Sequence, residues 1–165
     1  MHDVFQILVY GIGNPGRRDD GLGPELVRIL EEWSRQVKTE GIFFDSNYQL
    51  NVEDAEIISR YDMVIFADAS VEDIRNFTLT RLTEEDGVTY TTHAASPGYI
   101  LKLCHELFGK KPGAYLLHIK GYEWDFRAGL TKQARENLVQ AAEFMQEYLD
   151  KPALFEKMVT KSSDQ

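Results

Sequence analysis

The stretch QILVYGIGNPGRRDDGLGP, residues 6–24, constrains the fold more than any other part of the chain. Ile7, Leu8, Val9 and Tyr10 form a short continuous apolar run rich in β-formers, the pattern of a strand buried on both faces. Five glycines then fall within the thirteen residues from Gly11 to Gly23, and Pro24 suits the first turn of a helix. From Leu22 onward, Leu26, Val27, Ile29, Leu30 and Trp33 recur at helical spacing. A strand, a polar glycine loop and a helix, in that order, put the loop at the carboxyl end of a strand. Open α/β sheets hold their ligands there. Two adjacent carboxylates, Asp19 and Asp20, stand in the loop just ahead of the helix.

Three readings compete for this loop. Gly11, Gly13 and Gly16 satisfy the dinucleotide fingerprint G-x-G-x-x-G. That loop should open directly into a helix whose N-terminus meets the pyrophosphate. Here Arg17, Arg18, Asp19 and Asp20 intervene, and two carboxylates repel phosphate. A plain tight turn with an acid at the helix N-terminus accounts for one aspartate, through roughly 0.3–1 kcal/mol of dipole stabilisation. It does not account for the density of glycines. The third reading is a carboxylate presented in a backbone-lined cleft.

The rest of the chain repeats the alternation of strand and helix. The first helix should fade between Lys38 and Gly41. Ile42 to Phe44 reads as a second strand ending at Asp45. Asn51 and Asp54 have capping-box spacing before a short helix over Val52 to Ser59. Met63 to Ala67 is a third strand with Asp68 at its end. Phe77 to Leu82 alternates like a strand with one exposed face. Val88 to Thr92 is a short strand or an extended loop that delivers His93. Ser96-Pro97 opens a helix to about Phe108, with Ile100, Leu101, Leu103, Cys104 and Leu107 on its buried side. Tyr115 to Gly121 is a further strand, and Thr131 caps a last helix with Ala134, Leu138, Ala141, Ala142, Met145 and Leu149 inward. The expected fold class is α/β: one three-layer domain over residues 1–152, with a mostly parallel central sheet of about five strands and helices on both faces. Residues 153–165 read as a frayed tail.

A chain of 165 residues fits one domain with a proper core. Its net charge of −9 opposes docking on nucleic acid and on anionic lipid. Cys104 is the single cysteine, which excludes an internal disulfide and a cysteine-based zinc cluster. No stretch has the length to span a bilayer and the N-terminus lacks a leader pattern, so the expected location is the cytoplasm. Small size and high charge suit a monomer.

Parallel strands bring their carboxyl ends to one edge, so Asp20, Asp68 and His93 are expected to converge there. Two carboxylates and an imidazole with open positions suit zinc, nickel, iron or manganese. The other reading of each member is plain: an Asp after a strand caps a helix or tightens a turn, and a His in a Thr-rich loop is a satisfied hydrogen-bonder. His118 reads as a packed mid-strand residue, His105 as a surface residue, and Cys104 as a buried and unreactive one. The sequence contains neither a G-x-S-x-G elbow, nor H-E-x-x-H, nor a Walker loop.

GIGNPGRRDDGLGP, VIFADAS and TTHAASPGYIL, followed by GYEWDFRAGLT, resemble in sequence and order the signature segments of the hydrogenase maturation endopeptidases. The resemblance runs from about residue 6 to about residue 150. It implies an α/β fold with a central sheet between helices. It also implies removal of the C-terminal extension from the large-subunit precursor of nickel-iron hydrogenase, after nickel insertion. The metal ligands and catalytic set it implies are Asp20, Asp68 and His93, the nickel being carried by the substrate, with no organic cofactor. Three departures mark a subgroup. Asp20 stands where many members have Glu, His93 precedes Ser96-Pro97 rather than following it, and Asp45-Ser46-Asn47 replaces glycines after the second strand. Peptidyl-tRNA hydrolases begin with a similar strand and GxGNPG-like loop, but the TRHN-like segment that follows in them is missing here, and the charge suits tRNA poorly. A non-cleaving nickel-binding or tail-binding chaperone is the non-enzymatic alternative.

Overall fold

The computed structural model describes residues 4–85, 90–91, 94–151, 153 and 157. His93, the remainder of the expected strand around it, Pro152 and most of the expected tail lie outside the described residues. Five strands form the main sheet: β1 (Ile7–Ile12), β2 (Ile42–Asn47), β3 (Met63–Ser70), β4 (Phe77–Arg81) and, later in the chain, β7 (Gly113–Lys120). Their order is β2-β1-β3-β7-β4, parallel throughout except for β4, which runs antiparallel along the edge of β7. Two short strands, β5 (Tyr90–Thr91) and β6 (Ala94–Ala95), pair with each other separately. The helices are α1 (Leu22–Val37), α2 (Asp54–Ile58), α3 (Pro97–Phe108) and α4 (Lys132–Leu149).

Strand alternation sorts the core into two layers. Ile7, Val9, Ile65, Leu117 and Ile119 pack under α1 and α4, against Leu26, Leu30, Leu138 and Met145. Leu8, Tyr10, Val64 and Phe66 face the other way, against Ile58 of α2 and Ile100, Leu101 and Cys104 of α3. Every one of these side chains is buried, each contributing roughly 1.5–3 kcal/mol if a full-sized aliphatic. β1 and β3 lie inside the sheet and are apolar on both faces. β2 and β4 lie at its edges and are half exposed.

Several element ends and one burial differ from the sequence reading. β2 runs on through Asp45-Ser46-Asn47, and β3 continues to Ser70, so that Asp68 lies within the strand. Leu107, expected on the buried side of α3, is 66% exposed. It lies in the last turn of the helix, past the edge of the layer that covers Ile100 and Cys104. The non-glycine segment after the second strand has a structural use. The Asp45 side chain accepts from the Ser46 N–H, and the Asn47 side chain from the Tyr48 N–H, both at 2.8 Å. Backbone donors occupied in this way blunt an edge strand against further pairing.

Helix α1 crosses the top of the sheet at closest backbone contact. A Cβ on Gly23 would collide with the carbonyl oxygens of Ala67 and Ile12, and one on Gly11 would lie 2.6 Å from the Gly23 carbonyl oxygen. Only glycine allows the start of α1 to lie this close to β1 and β3, and that approach holds the glycine loop beside the end of β3.

Candidate active site at the carboxyl edge of the sheet

Gly13, at φ +139°, turns the chain away from β1, and a side chain there would collide with the Asp20 carbonyl. The loop then winds into one turn of 3-10 helix, Arg18–Gly21, before α1. Asp20 is held within the loop: its N–H donates to the Arg17 carbonyl at 3.1 Å, and its Oδ2 accepts from the Asn14 N–H at 2.8 Å. The loop thus organises itself around the carboxylate that it presents.

Asp68 is half-buried near the end of β3. Burial first, and the negative charge of Asp20 second, push its carboxyl up to about 7, against a lowering by a hydrogen bond from the Ala69 backbone. The charge of Asp20 therefore reaches the Asp68 carboxyl at this edge of the sheet. His93, expected third, lies outside the described residues. Among the described residues no three His, Cys, Asp or Glu side chains come together as a metal cluster.

His118 lies closer to this site than its place in YLLHIKG suggested. It is in register with Asp68 on the neighbouring strand, and residues in register on parallel strands project from the same face. It is half-buried, and burial holds its imidazole below the ordinary pKa, with Glu72 opposing. His105 lies at the surface, as read, and pairs with Glu84 at 2.8 Å. Cys104 is fully buried, and burial followed by the charge of Glu84 raises its thiol.

Asp19 has no role of its own in the sequence reading. It is 0% exposed, and its carboxylate accepts from the backbone N–H groups of Tyr122, Glu123 and Thr131 and from the Thr131 hydroxyl. The 3-10 turn separates the two aspartates, because its successive residues project about 120° apart. Of two adjacent aspartates, only one can then face the sheet edge. A cleft lined by Arg81, Leu82, Glu84, Lys111 and Gly113 lies at the opposite end of the sheet, beside the first residue of β7.

No family model and no curated protein matches the sequence. Solved structures share its fold. The NiFe hydrogenase maturation protease HycI from Thermococcus kodakarensis KOD1 superposes with a TM-score of 0.69 at 22% identity, covering 86% of this chain and 90% of that one. A hydrogenase 2 maturation peptidase from a Thaumarchaeota archaeon gives 0.64 at 23% identity, with coverages of 87% and 97%. The hydrogenase maturating endopeptidase HybD from E. coli gives 0.63 at 20% identity, with coverages of 87% and 93%. At these identities the likeness establishes the α/β fold.

Proposed function

We propose that this protein is an endopeptidase that removes the C-terminal extension of a nickel-loaded hydrogenase large-subunit precursor. The observation that carries the reading is the carboxylate pair, Asp20 and Asp68, at the edge where this fold holds its ligands. A carboxylate whose ionisation is opposed by burial and by a neighbouring negative charge favours a divalent cation beside it, and anionic oxygens suit nickel. The three fold neighbours described above, each a hydrogenase maturation protease or peptidase by name, support the substrate class. His93 follows as the nitrogen donor implied by the resemblance.

The nickel arrives as part of the substrate. Held there by Asp20 and Asp68, it would supply Lewis-acid chemistry, polarising a neighbouring carbonyl or acidifying a water. The chain's own residues do the rest. Asp20, fixed by the Asn14 N–H, and Asp68 hold the loaded centre against the scissile bond. Water adds to the carbonyl carbon, the C–N bond breaks, and the water proton passes to the leaving amine. Of the two carboxyl groups, Asp68 is the one whose burial favours the protonated form, which suits it to carrying that proton. No helix among the described residues is long and apolar enough to cross a membrane.

Nickel-loaded precursor incubated with the protein should lose the mass of its tail, while nickel-free precursor should stay intact at any enzyme concentration. Equal processing of both would show that nickel is not what the site reads. Cys104→Ala should cost about 1 kcal/mol of stability, seen in thermal melting, because a small buried side chain is lost. Tail release should be unchanged. Loss of release in the folded variant would assign the thiol to the chemistry.

A further inference from the structure

We infer that Asp19 is a positioning residue: it locks the loop after β7 onto the glycine loop and so holds Asp20 in place against Asp68. The inference rests on the carboxylate-pair reading above and adds a residue to it. Oδ2 of Asp19 accepts from the Tyr122 N–H at 2.7 Å, the Glu123 N–H at 3.1 Å and the Thr131 hydroxyl at 2.8 Å, and Oδ1 accepts from the Thr131 N–H at 2.8 Å. All four donors come from a segment more than 100 residues further along the chain. The same two segments are joined again by backbone. The Arg18 N–H donates to the Arg127 carbonyl at 2.7 Å, and the Asp19 N–H to the Glu123 carbonyl at 3.0 Å. Side chains join them too: Arg17 Nε donates to the Trp124 carbonyl, and Arg18 pairs with Glu123, each at 2.8 Å. Gly121 closes against this contact, since a Cβ there would lie 2.8 Å from Asp19 Cβ.

An apolar anchor would hold the loop down without fixing its orientation. A fully buried carboxylate is different, because its charge is tolerated only while its donors keep their geometry. None of its hydrogen-bond partners is a cation, and the charge of Arg18 acts on it only through space, so directed bonds fix its orientation. Asp20 is the next residue, one peptide bond away within the same 3-10 turn. Its direction is set by the turn that Asp19 pins.

The test uses Asp19→Asn, which keeps shape but turns an NH₂ toward a backbone donor. Hydrogen exchange at Tyr122, Glu123 and Thr131 should speed up, while the strand amides of Val9 and Ile65 keep their protection. The kcat of tail release should fall about 100-fold, the scale of a misplaced catalytic group, with KM within about twofold. Thr131→Ser, which retains the hydroxyl donor, should behave as wild type throughout. If Asp19→Asn does not fold, Thr131→Val removes one of the four donors and is read by the same measurements. Wild-type kcat in the folded variant, unchanged exchange at Tyr122, Glu123 and Thr131, or a loss of protection that extends to the strands would each overturn the positioning role. A wild-type protein that leaves loaded precursor uncut overturns the proposed function instead, and the exchange at these three amides still decides whether Asp19 locks the two segments together.

Discussion

Asp68→Asn should slow tail release from loaded precursor about 1,000-fold, the scale seen when a preorganised polar group is taken from a reacting centre. Asn preserves the volume of the side chain and removes its anionic oxygen and its exchangeable carboxyl proton. Either loss is damaging, since the site needs negative oxygens toward the substrate's nickel and a group that carries a proton near pH 7. Asp20→Asn should act in the same direction, through loss of charge alone, because the Asn14 N–H still finds an oxygen acceptor. Groups that work as a unit fail as a unit. The double variant should therefore be about as slow as either single one, far from the product of the two losses. The measurement is tail release followed by mass against time. A rate within tenfold of wild type for Asp68→Asn would take the carboxylate pair out of the chemistry.

The same substitution should make the protein more stable. The Asp68 carboxyl is raised from 3.8 to about 7 in the folded chain, by burial first and by the charge of Asp20 second. Between those two values the folded state keeps a proton that the unfolded chain has released. Stability therefore falls as pH rises through that window, and levels off above it. Asp68→Asn has no such proton to lose. Its advantage should be absent below about pH 4 and full above about pH 7. A shift of this size corresponds at most to about 4 kcal/mol; solvent screening of a half-buried group reduces it to about 2 kcal/mol. In a domain of this length that is about 4–8 °C in Tm. Thermal melts of wild type and variant at pH 4, 6 and 8 should show the gap opening. A gap that is constant with pH would mean that Asp68 ionises as it does in an unfolded chain. An enzyme stabilised by losing its own site residue is the expected sign of strain kept for function.

Much of this arrangement was readable in the chain itself. Continuous apolar runs such as Ile7 to Tyr10 and Met63 to Ala67 can lie only inside a sheet covered on both faces, and they do. The apolar face of α4 is the one expected, from Ala134 to Leu149, because helix periodicity is a local property of the chain. Asp20 and Asp68 were expected at one edge for a topological reason: parallel strands bring their carboxyl ends there.

What the chain could not announce depends on contacts between distant segments. The roles of the two adjacent aspartates follow from the loop after β7. It covers Asp19 and supplies its donors, while Asp20 is left half-buried at the edge. His118 looks like a packed strand residue until the β3–β7 register sets it beside Asp68. Leu107 has the spacing of a core residue yet lies beyond the layer that would cover it. Local pattern determines which elements form and which face each buries, because propensity and periodicity act over a few residues. Which polar side chain is buried and which is presented depends on what segment arrives opposite it, and only the assembled tertiary structure decides that.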